Sequence, residues 1–195
     1  LLLNDDTVLN PHAIAVLINI STNYGMSPIP AICIGSTCDH SGQLSYGGWK
    51  LRSHIFWRSC RVFSDKSQQE CDFANANILL VPQEVVAQIG ILSDRFTHSL
   101  ADFDYTLKAR KAGFKLRVAP NFLGNCVDDH GKSWKSQSTS LRKRIDYLKS
   151  PKGLAYKEYL HFIQEHFPLS YPSAFCKLWL KTFFPFIWDT LKKTH

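Results

Sequence analysis

The chain has 195 residues, of which 45% are hydrophobic and 20% charged, a composition that suits one well-cored domain and excludes wholesale disorder. No apolar run approaches the ~18 residues that a membrane span needs. The net charge of +7 is uneven: residues 1–130 hold eleven Lys and Arg against twelve Asp and Glu, whereas residues 131–195 hold twelve against four. The basic balance belongs to the C-terminal segment, where it suits phosphates, an anionic membrane surface or a plain solvated helical face.

In chain order, apolar residues 1–3 read as the end of a buried strand, and residues 4–7 form a polar break. The sequence opens inside an apolar run, without Met and unlike a secretory leader, so a segment upstream of it is expected. Pro11 then opens a helix carried by Ala13, Ile14, Val16, Leu17 and Ile20, which should end at Ser27-Pro28-Ile29-Pro30. Residues 31–34 read as a short buried strand. From 35 to 69 the glycines and aromatics predict loops and short antiparallel strands.

Residues 77–82 predict a strand that runs into a helix with Pro82 and Glu84 in its first turn and Gly90 at its end. A second helix is expected over 102–112, stopped by Gly113, and a strand over 115–119 up to Pro120. From Ser140 onward the chain is helical and basic, broken at Pro151-Lys152-Gly153, Pro168 and Pro172. Strands and helices alternate and a helical tail follows, so the fold class is α/β. Residues 1–135 are expected to form the main α/β part and residues 136–195 a basic, aromatic tail.

Six cysteines, Cys33, Cys38, Cys60, Cys71, Cys126 and Cys176, show neither a CxxC pair nor zinc-ribbon spacing. They read as reduced thiols, mostly buried, in a cytoplasmic protein.

Two acidic groups could carry chemistry. Asn4-Asp5-Asp6 stands at the carboxyl end of a strand, where ligands collect in open α/β sheets. Its carboxylates and amide offer hard oxygen ligands to Mg2+ or Mn2+, or else form a polar turn that caps the next helix. Asp102 and Asp104 open a helix, where a carboxylate can cap it or face a cleft and take a proton from a hydroxyl. Asp102 is expected just before the helix proper.

The stretch LNDDT at 3–7, together with CDFANANILLVPQEVVAQIGILSDRFTHSLADFDYTLKARKAGFKLRVAP at 71–120, closely resembles the family 2 glycosyltransferases of the GT-A fold. The branch it looks most like is the bacterial rhamnosyltransferase-like one, and the likeness weakens after about residue 150. The resemblance implies a metal-dependent inverting transferase that moves a sugar from a nucleotide sugar to an acceptor hydroxyl. Asn4-Asp5-Asp6 falls on the family's D-x-D-like position, so Asp6 would hold Mn2+ or Mg2+ and Asn4 would touch the nucleotide. Asp102 falls on the catalytic base, and Asp102, Asp104 and Lys108 complete a D-x-D-x-x-x-[RK] pattern. Ala101 departs from the Glu or Gly that many relatives carry there. Asp104 would be structural or bind the acceptor, and His130 falls where some GT-A enzymes place a metal or diphosphate ligand.

Asn75 and Asn77 would hydrogen-bond the donor or acceptor sugar, or serve as plain strand-entry residues. The family's first nucleotide-binding strands precede D-x-D, so these 195 residues alone are expected to be unstable or inactive. The implied acceptor is a glycan or lipid-linked precursor in cell-surface polysaccharide synthesis, with the enzyme in the cytoplasm or peripheral on the inner membrane face.

Phe175, Leu178, Trp179, Phe183 and Phe186, interleaved with lysines, suit an interfacial helix over 171–195 or a buried stripe. No nucleic-acid reading motif accompanies the basic tail. The competing reading is a catalytically silent carbohydrate-binding or scaffold protein of the same fold.

Overall fold

The computed structural model describes residues 1–22, 30–53, 55–97, 100–127, 139–150 and 153–186. In chain order these form β1 (Leu2–Leu3), β2 (Val8–Leu9), α1 (Ala13–Thr22), β3 (Ile32–Cys38), β4 (Leu44–Tyr46), β5 (Gly48–Ser53) and β6 (Arg58–Val62). They continue with β7 (Gln69–Cys71), β8 (Phe73–Ala74), β9 (Ile78–Leu80), α2 (Gln83–Ile89), α3 (Ala101–Lys111) and β10 (Leu116–Asn125). The helices α4 (Leu141–Lys149), α5 (Tyr156–His166) and α6 (Tyr171–Phe183) follow, with a 3-10 turn at Pro168–Ser170. The fold is mixed α/β.

The chain divides into two compact units. The first comprises Leu1–Ser53, Arg58–Ser93 and Asp102–Asp128. Its main sheet runs in the order β1-β9-β3-β10-β2, with β4 on β3 and β7 on β10. Only β3 and β10 pair in parallel; the other ladders are antiparallel. Side chains alternate across a strand, and the two cores follow that period. Ile32 and Ile34 of β3, Leu79 of β9 and Leu116 and Val118 of β10 join Val85 of α2 and Tyr105 and Ala109 of α3. Cys33, Ile78, Ala119 and Leu123 join Ala13 and Leu17 of α1. Helices thus cover both faces of the sheet. A smaller sheet, β6-β5-β8, completes the unit. Gly48 lets β5 cross closely, because a Cβ there would run into Val118 and the Cys71 side chain.

Most expected elements are present, with four differences. The strand over 31–34 continues to Cys38, because buried Ser36 and Thr37 extend it and Thr37 Oγ1 meets Ser45 Oγ at 2.8 Å. The strand over 115–119 passes through Pro120 to Asn125; its register slips between Val118 and Phe122, and Asn121 takes a left-handed φ of 60°. Residues 1–3 form an edge strand rather than a buried one, so Leu1 and Leu3 are exposed. Asp102 lies inside the first turn of α3 rather than before it, since the chain enters the helix at Leu100, with φ 70°. The expected end of α1 at 27–30 falls almost wholly outside the described residues.

The second unit comprises His54–Trp57, Asp94–Ala101 and Asp129–His195. The basic segment therefore recruits two short stretches from upstream. Trp57 packs on Phe162 and Phe167 with ring centroids 5.2 and 5.0 Å away, and its backbone N–H donates to Ser170 Oγ at 2.9 Å. Thr97 donates to the Glu158 carboxylate through both its N–H and its hydroxyl. Ser140 caps α4 by accepting from the Lys143 N–H. Pro168 and Pro172 open the 3-10 turn and α6 rather than simply breaking helices, since a first turn has no use for their missing N–H.

Along α6, Ala174, Leu178 and Thr182 are buried, whereas Phe175, Leu180 and Phe183 stay exposed, as do Phe184 and Phe186 beyond it. Of the apolar stripe read from the sequence, Phe175, Phe183 and Phe186 are thus uncovered, Trp179 is half-buried and Leu178 is buried. No helix among the described residues is long and apolar enough to cross a membrane.

Candidate functional site

Both acidic groups lie in the first unit, and the segment between β8 and β9 joins them. After β1 the chain turns sharply: the Thr7 N–H donates to the Asn4 carbonyl at 3.1 Å. The Asn4 N–H extends the ladder by donating to the Asn77 carbonyl at 3.2 Å, while the Asn4 amide donates to Asp6 Oδ1 at 2.9 Å. Asp6 is exposed, with its carboxylate pulled back across the turn.

A third element meets this turn. Cys126 follows the last residue of β10 and is pinned by its own N–H donating to the Cys38 carbonyl at 3.0 Å. Its thiol donates to Asp6 Oδ1 at 3.3 Å and accepts from the buried Asn77 amide at 3.4 Å. Burial pushes the Cys126 thiol above its ordinary value; the nearby Thr7 hydroxyl opposes the shift and the Asp6 carboxylate adds to it. The Thr7 hydroxyl oxygen is buried and makes no hydrogen bond of sound geometry.

The second acid is held by the same segment. One Asp102 oxygen accepts from the Ala76 N–H at 3.1 Å, and the other from the Phe103 N–H at 2.8 Å. Thr106 ties the helix down from below, donating to the Asp102 carbonyl at 2.7 Å and accepting from the Ala74 N–H at 3.2 Å. Desolvation pushes the Asp102 carboxyl above the ordinary carboxylate value, although the Ala76 and Phe103 N–H groups and the Asn75 amide hold it back. Part of the residue still reaches solvent. Asn75 itself accepts from the Trp49 indole N–H at 3.0 Å, and Trp49 packs with Phe73 and Phe103 as an aromatic wall.

Asn75 thus serves Asp102, Asn77 serves the Asp6 turn, and Ala76 between them donates to Asp102. Three consecutive residues connect the two acids. No family model, curated protein or solved structure matches this chain.

Asp104 is placed differently. It is buried and paired with Lys108 Nζ at 2.8 Å, one turn further along α3. His130 lies outside the described residues.

Cys126 is the residue that sequence reading overlooked. The sequence reads the cysteines as reduced, mostly buried thiols; Cys33, Cys71 and Cys126 are indeed buried, but Cys38 and Cys60 are half-buried and Cys176 is exposed. Burial pushes the Cys33 and Cys71 thiols up to about 12, as expected of inert core groups. Cys126 alone of the three touches a carboxylate of the site. The donor set around the turn, a carboxylate, a thiol and two amides beside the buried Thr7 hydroxyl, fits a divalent cation.

Proposed function

We propose that the chain is an inverting glycosyltransferase of the GT-A fold and family 2 type, transferring a sugar from a nucleotide sugar to an acceptor hydroxyl. The observation that carries this reading is the link through residues 75–77, which ties the Asp102 carboxylate to the Asp6 turn. Asp6, with Asn4 beside it, would hold Mn2+ or Mg2+. The cation would offset the negative charge that develops on the departing diphosphate.

The chain's own residues account for the rest. Asp102 takes the proton of the acceptor hydroxyl as that oxygen bonds to the anomeric carbon. The bond from that carbon to the diphosphate breaks on the opposite face, and nucleoside diphosphate leaves. One displacement inverts the configuration. Desolvation strengthens Asp102 as a base, and the N–H groups of Ala76 and Phe103 aim its oxygens. Asn75, bridging Trp49 and Asp102, would orient a sugar hydroxyl against the aromatic wall.

A glycan or lipid-linked acceptor suits this reading, as does work at the cytoplasmic face of a membrane. The uncovered aromatics Phe175, Phe183, Phe184 and Phe186, with Lys177 and Lys181 among them, would give α6 a peripheral hold on anionic lipid.

The test, made on the full-length protein, is release of free nucleoside diphosphate from a panel of nucleotide sugars with Mn2+ or Mg2+. Release that needs the metal and disappears in Asp6→Ala and Asp102→Asn supports the proposal. Release that survives Asp102→Asn places the base elsewhere, and a folded protein that neither turns over nor binds any donor sinks the reading.

A further inference from the structure

The Asp6 turn contains a group that oxygen-only cation chemistry does not require. The Cys126 thiol is placed by the sheet itself, since the residue follows the last ladder position of β10 and its N–H is held by Cys38. It faces the Asp6 carboxylate at 3.3 Å. Sulfur and oxygen donors bound to one tetrahedral ion stand about 3.5 Å apart, given metal–sulfur bonds of about 2.3 Å and metal–oxygen bonds of about 2.0 Å. The two atoms therefore already stand at the spacing of a shared ligand pair.

The surroundings match. The Asn77 amide lies 3.4 Å from the same sulfur and the Asn4 amide 2.9 Å from the same carboxylate oxygen. A half-turn about its last bond lets either amide present oxygen instead of N–H. Thr7 Oγ1, next to Asp6 in the chain, is buried beside the Cys126 thiol and makes no hydrogen bond of sound geometry. Buried polar atoms are rarely left orphaned unless something else satisfies them. Asp6 is exposed, so an ion can reach the group from solvent.

We propose that Cys126 is a sulfur donor to the divalent cation held at Asp6, with the Asn4 and Asn77 amides as further donors. This rests on the reading of Asp6 as a cation ligand and adds a preference to it. Thiolate selects Zn2+, Co2+ or Cd2+ over Mg2+, and Mn2+ falls between. Binding breaks the S–H bond heterolytically: the sulfur keeps the electron pair for the metal and the proton goes to solvent, with no change of oxidation state.

The probe is Co2+ alone, titrated into the full chain under anaerobic, reducing conditions and followed by sulfur-to-cobalt charge-transfer absorption and by equilibrium dialysis. One bound Co2+ with a charge-transfer band is expected. The band should vanish in Cys126→Ser, survive in Cys38→Ser and Cys176→Ser, and need at least about tenfold more Co2+ in Asp6→Asn. Zn2+ or Cd2+ should displace it and Mg2+ should not. Circular dichroism of Cys126→Ser shows whether that variant folds, and the wild-type band needs no variant at all.

Co2+ bound without a band, or a band that persists in folded Cys126→Ser, overturns the sulfur donor. Sugar-nucleotide turnover with Mg2+ and no cobalt band would remove Cys126 and leave the transferase. A cobalt band without turnover of any donor by the full-length protein would leave the sulfur donor and remove the transferase.

Discussion

Helix α3 places one carboxylate at its start and grips another near its end, and the two have opposite surroundings. At the start, Asp102 meets only N–H donors, and no cation pairs with it among the described residues. Near the end, Arg110 Nε reaches the buried Asp72 at 3.0 Å, Lys50 Nζ stands 3.8 Å away, and the Leu51 N–H donates to Asp72 at 2.6 Å. This second carboxylate lines a polar cleft of about 390 Å3 with Glu70 and Lys115. The contrast is instructive. Cations hold Asp72 as an anchor between β5, β7 and α3. Dipoles alone hold Asp102, which keeps a raised proton affinity and partial access to solvent. Burial by itself does not mark a candidate functional acid; burial without a counter-charge does.

The contrast is tested hardest by exchanging each carboxylate for its amide. Asp102→Asn should lower turnover by about 10²–10⁴-fold, the range for losing a general base, with little change in donor affinity. A fall confined to donor affinity would make Asp102 a binding group and erase the distinction. Asp72→Asn should act on stability instead. It uncouples Arg110 and Lys50, and because both cations reach solvent the loss should be about 2 kcal/mol, below the range for a fully buried pair. Denaturant midpoints measure it, and turnover per folded molecule should hold. If Asp72→Asn instead abolished turnover in a folded protein, the polar cleft rather than the Asp6 turn would become the candidate site.

Much of the scaffold was legible in the sequence. Pro82 and Gly90 bracketed α2, and the apolar run at 31–34 announced the central strand. These are local signals, fixed by backbone preference and period. What escaped depended on distance in the chain. Ser36 and Thr37 read as loop because the hydroxyl that receives Thr37 belongs to Ser45, on a strand not yet placed. Trp57 and Thr97 joined the helical unit through Phe162, Phe167 and Glu158, partners that no window around them contains.

Cys126 is the sharpest case, 120 residues from Asp6 in sequence and 3.3 Å from it in space. Its one available clue was position: a cysteine directly after a strand whose carboxyl end lies near the Asn4 turn. That clue becomes readable only once the sheet order is known.

The finest test of the contrast lies in how stability varies with pH. The folded protein holds the Asp102 proton more tightly than the unfolded chain does, because desolvation raises its proton affinity above the ordinary carboxylate value. Asp102 therefore contributes stability that is fully present below the unfolded value and is lost as pH rises through the raised folded value. Asn at this position cannot titrate. The stability of wild type relative to Asp102→Asn should be greatest in acid and decline toward neutrality, read as the difference between their urea midpoints across that window. The other carboxylates titrate in both proteins, so their contributions cancel in this difference. A difference that grew with pH would mean that the N–H groups of Ala76 and Phe103 outweigh desolvation. Asp102 would then be a stabilised anion, and a weak base for any hydroxyl.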